Sequence, residues 1–205
     1  EIGGGSTKII YYNRRNMLGS VTLPFGAVTL TDLFKNDGLS PEAQVEKIEE
    51  FFTEQLSSIE WLKDVDPDAQ MIGVGGSFRN IFKISKMVRK YPLDTVHNYN
   101  LPVEDFDSIY DMIKVLDLDR KKKIKGISSA RADILPAALA VVKAFTRYMR
   151  FESFTIGGMG LREGIMFNQA MPITLEKPIS DILGYSLNGL VRYYECDEKH
   201  VEHVV

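Results

Sequence analysis

One cysteine in 205 residues removes several classes of protein at once. Cys196 alone cannot form an internal disulfide, so the fold must rest on its core, and the chain suits a reducing compartment. No apolar run reaches the roughly 18–20 residues that a membrane span requires. No segment reads as a signal peptide, and a cytoplasmic location is expected. The formal net charge is -3, far from the basic balance of a general nucleic-acid binder. Histidine is scarce, with His97, His200 and His203 making up the total of 3. His200 and His203 have a spacing that can put two ligands on one helix face, yet no zinc-type cluster accompanies them. They read as surface or packing residues. The sequence opens on Glu1 rather than Met and stops inside an amphipathic stretch, so it reads as a piece of a longer protein.

What is present is ordinary in composition and specific in pattern. With 44% hydrophobic and 26% charged residues, the chain is typical of a globular protein. Its length provides for one full domain and part of another. Residues 8–12 and 15–23 read as strands around a turn at Asn13 and Arg14, and residues 28–34 as a short helix. Ser40 and Pro41 predict a helix start, followed by Val45, Ile48, Phe51, Phe52, Leu56 and Ile59 at helical spacing. Residues 71–74 predict a buried strand running straight into a helix over 78–90, with Phe78, Ile81, Phe82 and Ile84 inward. Residues 93–102 read as a loop, 103–116 and 117–123 as helices, 136–147 as a long helix and 153–156 as a strand. Strands alternating with helices predict an α/β layer architecture.

Three glycine-rich segments carry the chemistry. Gly3-Gly4-Gly5-Ser6-Thr7 precedes an apolar strand-like run. Without Cβ atoms, successive N–H groups can converge on an anion, and the hydroxyls add donors. The same composition also suits a flexible linker. Gly73-Val74-Gly75-Gly76-Ser77 runs from a strand into a helix, whose free N–H groups suit a phosphate; a tight turn without ligand is the other reading. Gly158-Met159-Gly160-Leu161-Arg162-Glu163-Gly164 adds an arginine that can clamp a phosphate or pair with Glu163. Arg79, Lys83, Lys86 and Lys90 fall at helical spacing, as either a polyanion-steering stripe or a solvated face. The run Arg120 to Lys125 reads as surface.

Taken in order, Ile2 to Thr7, Gly73 to Ser77, Ser129-Ala130-Arg131-Ala132-Asp133 and Gly160 to Gly164 resemble the exopolyphosphatase / guanosine pentaphosphate phosphohydrolase (Ppx/GppA) family. The resemblance covers about residues 1–170. It implies the second lobe of a ribonuclease-H-like fold of the actin-like ATPase superfamily, with a mixed sheet and flanking helices, over residues 1–172. Residues 173–205 would be a connector and the start of a helical HD-like domain. The implied activity is removal of terminal phosphoryl groups from polyphosphate or guanosine pentaphosphate, with Mg²⁺, by a cytoplasmic bacterial homodimer that binds neither nucleic acid nor membrane. Gly3, Gly4, Gly5, Ser6, Thr7, Gly75, Gly76 and Ser77 would bind phosphate. Glu1 would be the catalytic and metal-binding carboxylate. Lys8, Arg79, Lys83, Arg131 and Arg162 would contact the polyanion, with Arg131 and Asp133 also placed to hold a helix start.

Two departures stand inside the first motif. Glu1 replaces the family's usual Asp, and Lys8 stands where a glutamate is usual. An ammonium cannot ligate Mg²⁺ but binds phosphate as a point charge. Three alternatives therefore stay open: a catalytically degenerate polyphosphate or alarmone sensor, a kinase-like ATPase on the same fold, and a structural oligomerisation lobe. Because the first lobe's phosphate loop and glutamate are not in this sequence, the chain alone is expected not to hydrolyse polyphosphate.

Overall fold

The computed structural model describes residues 1–13, 16–35, 38–127, 129–170 and 182–204. These residues form two compact units, 1–161 and 162–205. The boundary expected at 172 lies outside the described residues, as do Arg14 of the expected first turn and Arg15 of the strand expected after it.

The first unit opens with an antiparallel hairpin, β1 (Thr7–Tyr12) and β2 (Met17–Leu23). Its inward face lies on Trp61: Tyr11 stacks on that indole, with ring centroids 6.4 Å apart. Helix α1 (Ala27–Leu33) follows, then α2 (Pro41–Ser57), which starts where expected. Ser40 Oγ accepts the Ala43 N–H at 3.2 Å, and Pro41 occupies the first turn, where its missing donor costs nothing.

A second sheet has the order β3-β5-β4, from β3 (Met71–Val74), β5 (Ser153–Gly157) and β4 (Tyr99–Pro102). β3 and β5 are parallel, and β4 is antiparallel to β5, so the sheet is mixed as expected. β4 corrects the reading of 93–102 as loop. Asn100 and Pro102 hide it in the sequence, because neither favours strand. Burial decides otherwise: Tyr99 and Leu101 face the core while Asn100 faces out.

Helices α3 (Gly76–Arg89), α4 (Val103–Lys114), α5 (Leu118–Lys122) and α6 (Leu135–Met149) complete the first unit. The expected inward residues of α3 are buried. Phe154 of β5 receives Phe78 of α3 and Phe106 of α4 edge-on, at 5.9 and 5.5 Å between ring centroids. These rings join sheet to helices. α6 packs on α2 and α4, with Leu139 and Ala140 fully buried. The run Arg120 to Lys125 is not all surface: Lys121 is buried, and removal from water pushes its ammonium pKa down, against a weaker upward pull from Asp117. In the second unit stand α8 (Ile182–Tyr193) and α9 (Glu198–Val204), in the segment expected to be helical. Helix α7 (Leu161–Ala170) takes up most of the segment expected to be a third glycine turn, leaving Gly158 to Gly160 as loop.

Candidate phosphate site at the carboxyl ends of the strands

The first two glycine segments are tied together in the first unit, which also holds Gly158 to Gly160 of the third. Ile2 bridges Thr7, so Gly3 to Ser6 form a tight turn, closed by Gly3 N–H to the Ser6 carbonyl at 2.8 Å and Lys8 N–H to the Glu1 carbonyl at 2.9 Å. The N–H groups of Gly4, Gly5 and Ser6 have no acceptor among the described residues. Two further carbonyls of this turn are engaged. Those of Gly3 and Gly4 accept the N–H groups of Ala27 and Val28, each at 2.9 Å. The glycine turn and the start of α1 are therefore one backbone knot. Gly26 sits inside it: a Cβ there would stand 2.5 Å from both the Gly4 oxygen and the Ser6 nitrogen.

The middle loop abuts this knot. Gly75 has φ 100°, a left-handed conformation that glycine adopts without a Cβ penalty, and it ends β3 and starts α3 in a single step. Its carbonyl accepts the Arg79 N–H at 3.2 Å, while the N–H groups of Gly76, Ser77 and Phe78 have no acceptor among the described residues. A helix start with open N–H groups and a positive dipole end suits an anion. Ser77 Oγ donates to the Ile2 carbonyl at 3.1 Å and ties the two loops. A Cβ on Gly75 would lie 3.3 Å from Glu1 Cγ, so the Glu1 side chain lies across the middle loop. The Arg131 guanidinium fills the space where a Gly76 side chain would go.

The expected site residues divide by what their side chains do. Gly3, Gly4, Gly5, Gly75 and Gly76 form the paired loops; Glu1 and Arg131 flank them, and Ser6 is half-buried. Thr7 and Ser77 are buried and face inward: the Thr7 hydroxyl donates to the Phe25 carbonyl at 2.8 Å, and the Ser77 hydroxyl to Ile2. Their hydroxyls join loops together in this structure. Lys8, Arg79 and Lys83 are exposed. Of the remaining α3 stripe, Lys86 pairs with Asp94, and Lys90 ends the helix with φ 51°. Arg162 belongs to the second unit, where it stands 4.0 Å from Glu163. Asp133 accepts the Ile134 N–H at 3.0 Å just ahead of α6, whose start has no side-chain cap.

The importance of Gly26 was not legible beforehand, because no local pattern announces a glycine whose only constraint is another backbone. Among the described residues no group of three or more His, Cys, Asp and Glu could hold a metal ion. Glu1 is a single carboxylate beside the loops, which suits one protein ligand of a Mg²⁺ otherwise held by water and phosphate oxygens.

A glycine turn before β1 is thus paired with the loop at the carboxyl end of β3. The family model described as the Ppx/GppA phosphatase family matches residues 1–171. The chain belongs to the Ppx/GppA phosphatase family. The chain resembles the solved structure of a Ppx/GppA family member from Aquifex aeolicus, with a TM-score of 0.69 and 23% identity over 82% of this chain and 54% of that one. An exopolyphosphatase structure from Cytophaga hutchinsonii gives a TM-score of 0.72 at 20% identity, over 86% of this chain and 57% of that one. The bifunctional 3-dehydroquinate synthase/phosphatase of Fusobacterium nucleatum subsp. nucleatum is 26% identical over 153 residues, which are 72% of this chain and 22% of that protein. The chain thus spans about half the length of the solved relatives and under a quarter of the curated one. The fold is that of the solved Ppx/GppA structures, an α/β unit with a mixed sheet and flanking helices.

Proposed function

We propose that this chain is the phosphate-gripping lobe of a phosphohydrolase that removes terminal phosphoryl groups from inorganic polyphosphate or guanosine pentaphosphate. The observation that supports this most is the meeting of two unfilled donor sets, the N–H groups of Gly4 to Ser6 and those opening α3, with Arg131 beside them. Phosphoryl transfer needs positioning and charge neutralisation more than covalent chemistry. The loop N–H groups hold the terminal phosphate, and Arg131 offers two parallel donors to its oxygens. Glu1, lying across Gly75, accepts a proton from the attacking water. A bound Mg²⁺ would screen the phosphate oxygens and acidify that water, with Glu1 as its ligand from this chain. Lys8, Arg79 and Lys83 are exposed cations that steer a long polyanion toward the loops.

Lys8 supports a second reading, a sensor that binds polyphosphate or an alarmone without turnover. A cation at this position strengthens anion binding but removes a carboxylate that the family's chemistry uses. The test is Mg²⁺-dependent phosphate release from long-chain polyphosphate by the full-length protein, beside its Lys8→Glu variant. Turnover by the unmodified protein supports the hydrolase. Tight binding without turnover, with activity gained by Lys8→Glu, favours the sensor. This chain alone is expected to bind polyphosphate and release no phosphate, and a robust rate from it would overturn the need for another lobe.

A further inference from the structure

A side-chain ring joins the segment before β4 to the loop after β5. The Gly158 N–H donates to His97 Nδ1 at 3.2 Å. Strand register explains the meeting. Tyr99 pairs with Ile156 at the end of the antiparallel ladder, so the next positions outward set His97 across from Gly158. The backbone no longer supplies an acceptor there, because Asn98 turns away with φ 63° and Tyr99 N–H closes back on the Val96 carbonyl at 3.3 Å. The imidazole supplies it instead. Contact is close: a Cβ on Gly158 would stand 3.0 Å from His97 Cβ and 3.2 Å from Val96 Cγ1.

The other side of β5 leads to the phosphate loops. Val74 pairs with Gly157 as the last pair of the parallel ladder, so Gly158 and Gly75 are the residues that leave β5 and β3 at the same end of the sheet. Gly75 is the N-cap of α3 and has the Glu1 side chain over it. The loop that His97 holds therefore leaves the sheet at the same end as the loop whose N–H groups face the anion.

We infer that His97 is a positioning residue: it holds the Gly158–Gly160 loop against the phosphate-gripping edge through an acceptor nitrogen, and protonation of its ring releases that loop. The hydrogen bond stands without the proposed function; its consequence for polyphosphate rests on that reading. The chemistry is one-directional. A neutral imidazole with its proton on Nε2 accepts at Nδ1, whereas an imidazolium has two donors and no acceptor. His97 is exposed, and the titratable groups on the segments beside it are these. Gly157 to Gly160 carry no titratable side chain. In the segment before β4, Asp94 is tied to Lys86 of α3, and the Tyr99 hydroxyl is engaged by Ser85 and Arg89. Glu1 lies beyond Gly75.

The first test needs no substrate. The Gly158 amide and the His97 ring nitrogens are followed by NMR in the full chain from about pH 8 to about pH 5, where histidines as a class take up a proton. The two signals are expected to move with one midpoint. His97→Asn offers a carbonyl oxygen near the place of Nδ1, so its Gly158 signal is expected to stay bonded and flat. His97→Phe is expected to lose the bonded shift at every pH. A Gly158 signal that ignores the ring, or that moves equally in His97→Asn, overturns the inference. The second test is polyphosphate affinity of the full-length protein. The unmodified protein is expected to weaken about three- to tenfold more than His97→Asn across that interval, the scale of one neutral hydrogen bond. Equal weakening of both proteins counts against the inference. Absence of polyphosphate binding at any pH would instead overturn the proposed function, leaving the Gly158 titration to stand or fall by itself.

Discussion

The glycine-loop edge and the helical layer of α2, α4 and α6 are held together by opposite means. At the edge, backbone meets backbone: Gly26 lies within 2.5 Å, at its would-be Cβ, of atoms in the glycine turn, and carbonyls of Gly3 and Gly4 serve α1. In the helical layer, volume does the work, through Phe52, Phe106 and Leu139 at 0% exposure. The difference teaches that the edge tolerates no added atom, while the layer tolerates no lost one. It also leaves the edge with N–H groups, those of Gly4 to Ser6, that have no acceptor among the described residues.

The sharpest way to break the comparison is to exchange the insults. Gly26→Ala puts a methyl group against three backbone atoms of one turn, the Gly3 and Gly4 oxygens and the Ser6 nitrogen. We expect a stability loss of about 3 kcal/mol or more, at the high end for overpacking, together with loss of polyphosphate binding. Leu139→Ala leaves a cavity at the other end and is expected to cost about 3–5 kcal/mol in chemical unfolding while polyphosphate affinity stays unchanged. If Leu139→Ala abolished binding, or Gly26→Ala left it intact, the two regions would not be separable.

A polar contact within the layer gives a smaller effect. The Tyr110 hydroxyl donates to Glu49 Oε2 at 2.8 Å, and burial first, then this carboxylate, pushes its pKa far above the ordinary tyrosine value. Tyr110→Phe strands the carboxylate oxygen and is expected to cost about 1–3 kcal/mol in urea unfolding, with no change in anion affinity. Because the ionised form is disfavoured in the folded state, this tyrosine is expected to remain un-ionised in alkaline absorbance titration where exposed tyrosines ionise.

Lys121 tests the layer's margin by pH. Burial lowers its ammonium pKa in the folded protein, so the unfolded state binds more protons, and stability from this group rises with pH through the alkaline range. Lys121→Met is therefore expected to raise the unfolding midpoint at neutral pH, with the gain shrinking as pH rises toward the unfolded lysine pKa of about 10.4. A gain that is constant with pH would mean that packing rather than charge is responsible. The smallest effect belongs to the surface pair of Lys86 and Asp94, the latter 95% exposed. Lys86→Ala is expected to change stability by less than about 1 kcal/mol and to leave α3 intact by circular dichroism.

Much of this division was legible beforehand, and its gaps have physical causes. The helix start at Ser40-Pro41, the inward face of α2 and the strand-to-helix step at Gly75 are local signals, since each depends on residues within a few positions. β4 was not legible: only pairing with β5 makes Tyr99–Pro102 a strand. Lys121 was read as surface because a charge run looks alike whether or not another element covers one of its members. Ser77 and Thr7 carry the residue types of a phosphate loop, yet their hydroxyls turn inward to the carbonyls of Ile2 and Phe25. Composition cannot show that orientation.

Residue type and spacing by themselves determined the family motifs, the helical stripes and the absence of any disulfide frame, because those rest on chemistry read along the chain. Tertiary structure alone decided that the turn at Gly3 to Ser6 meets the start of α3, that Gly26 locks it, and that His97 reaches Gly158. Each of these joins residues far apart in sequence, and only packing and strand register set which distant backbone group becomes a neighbour.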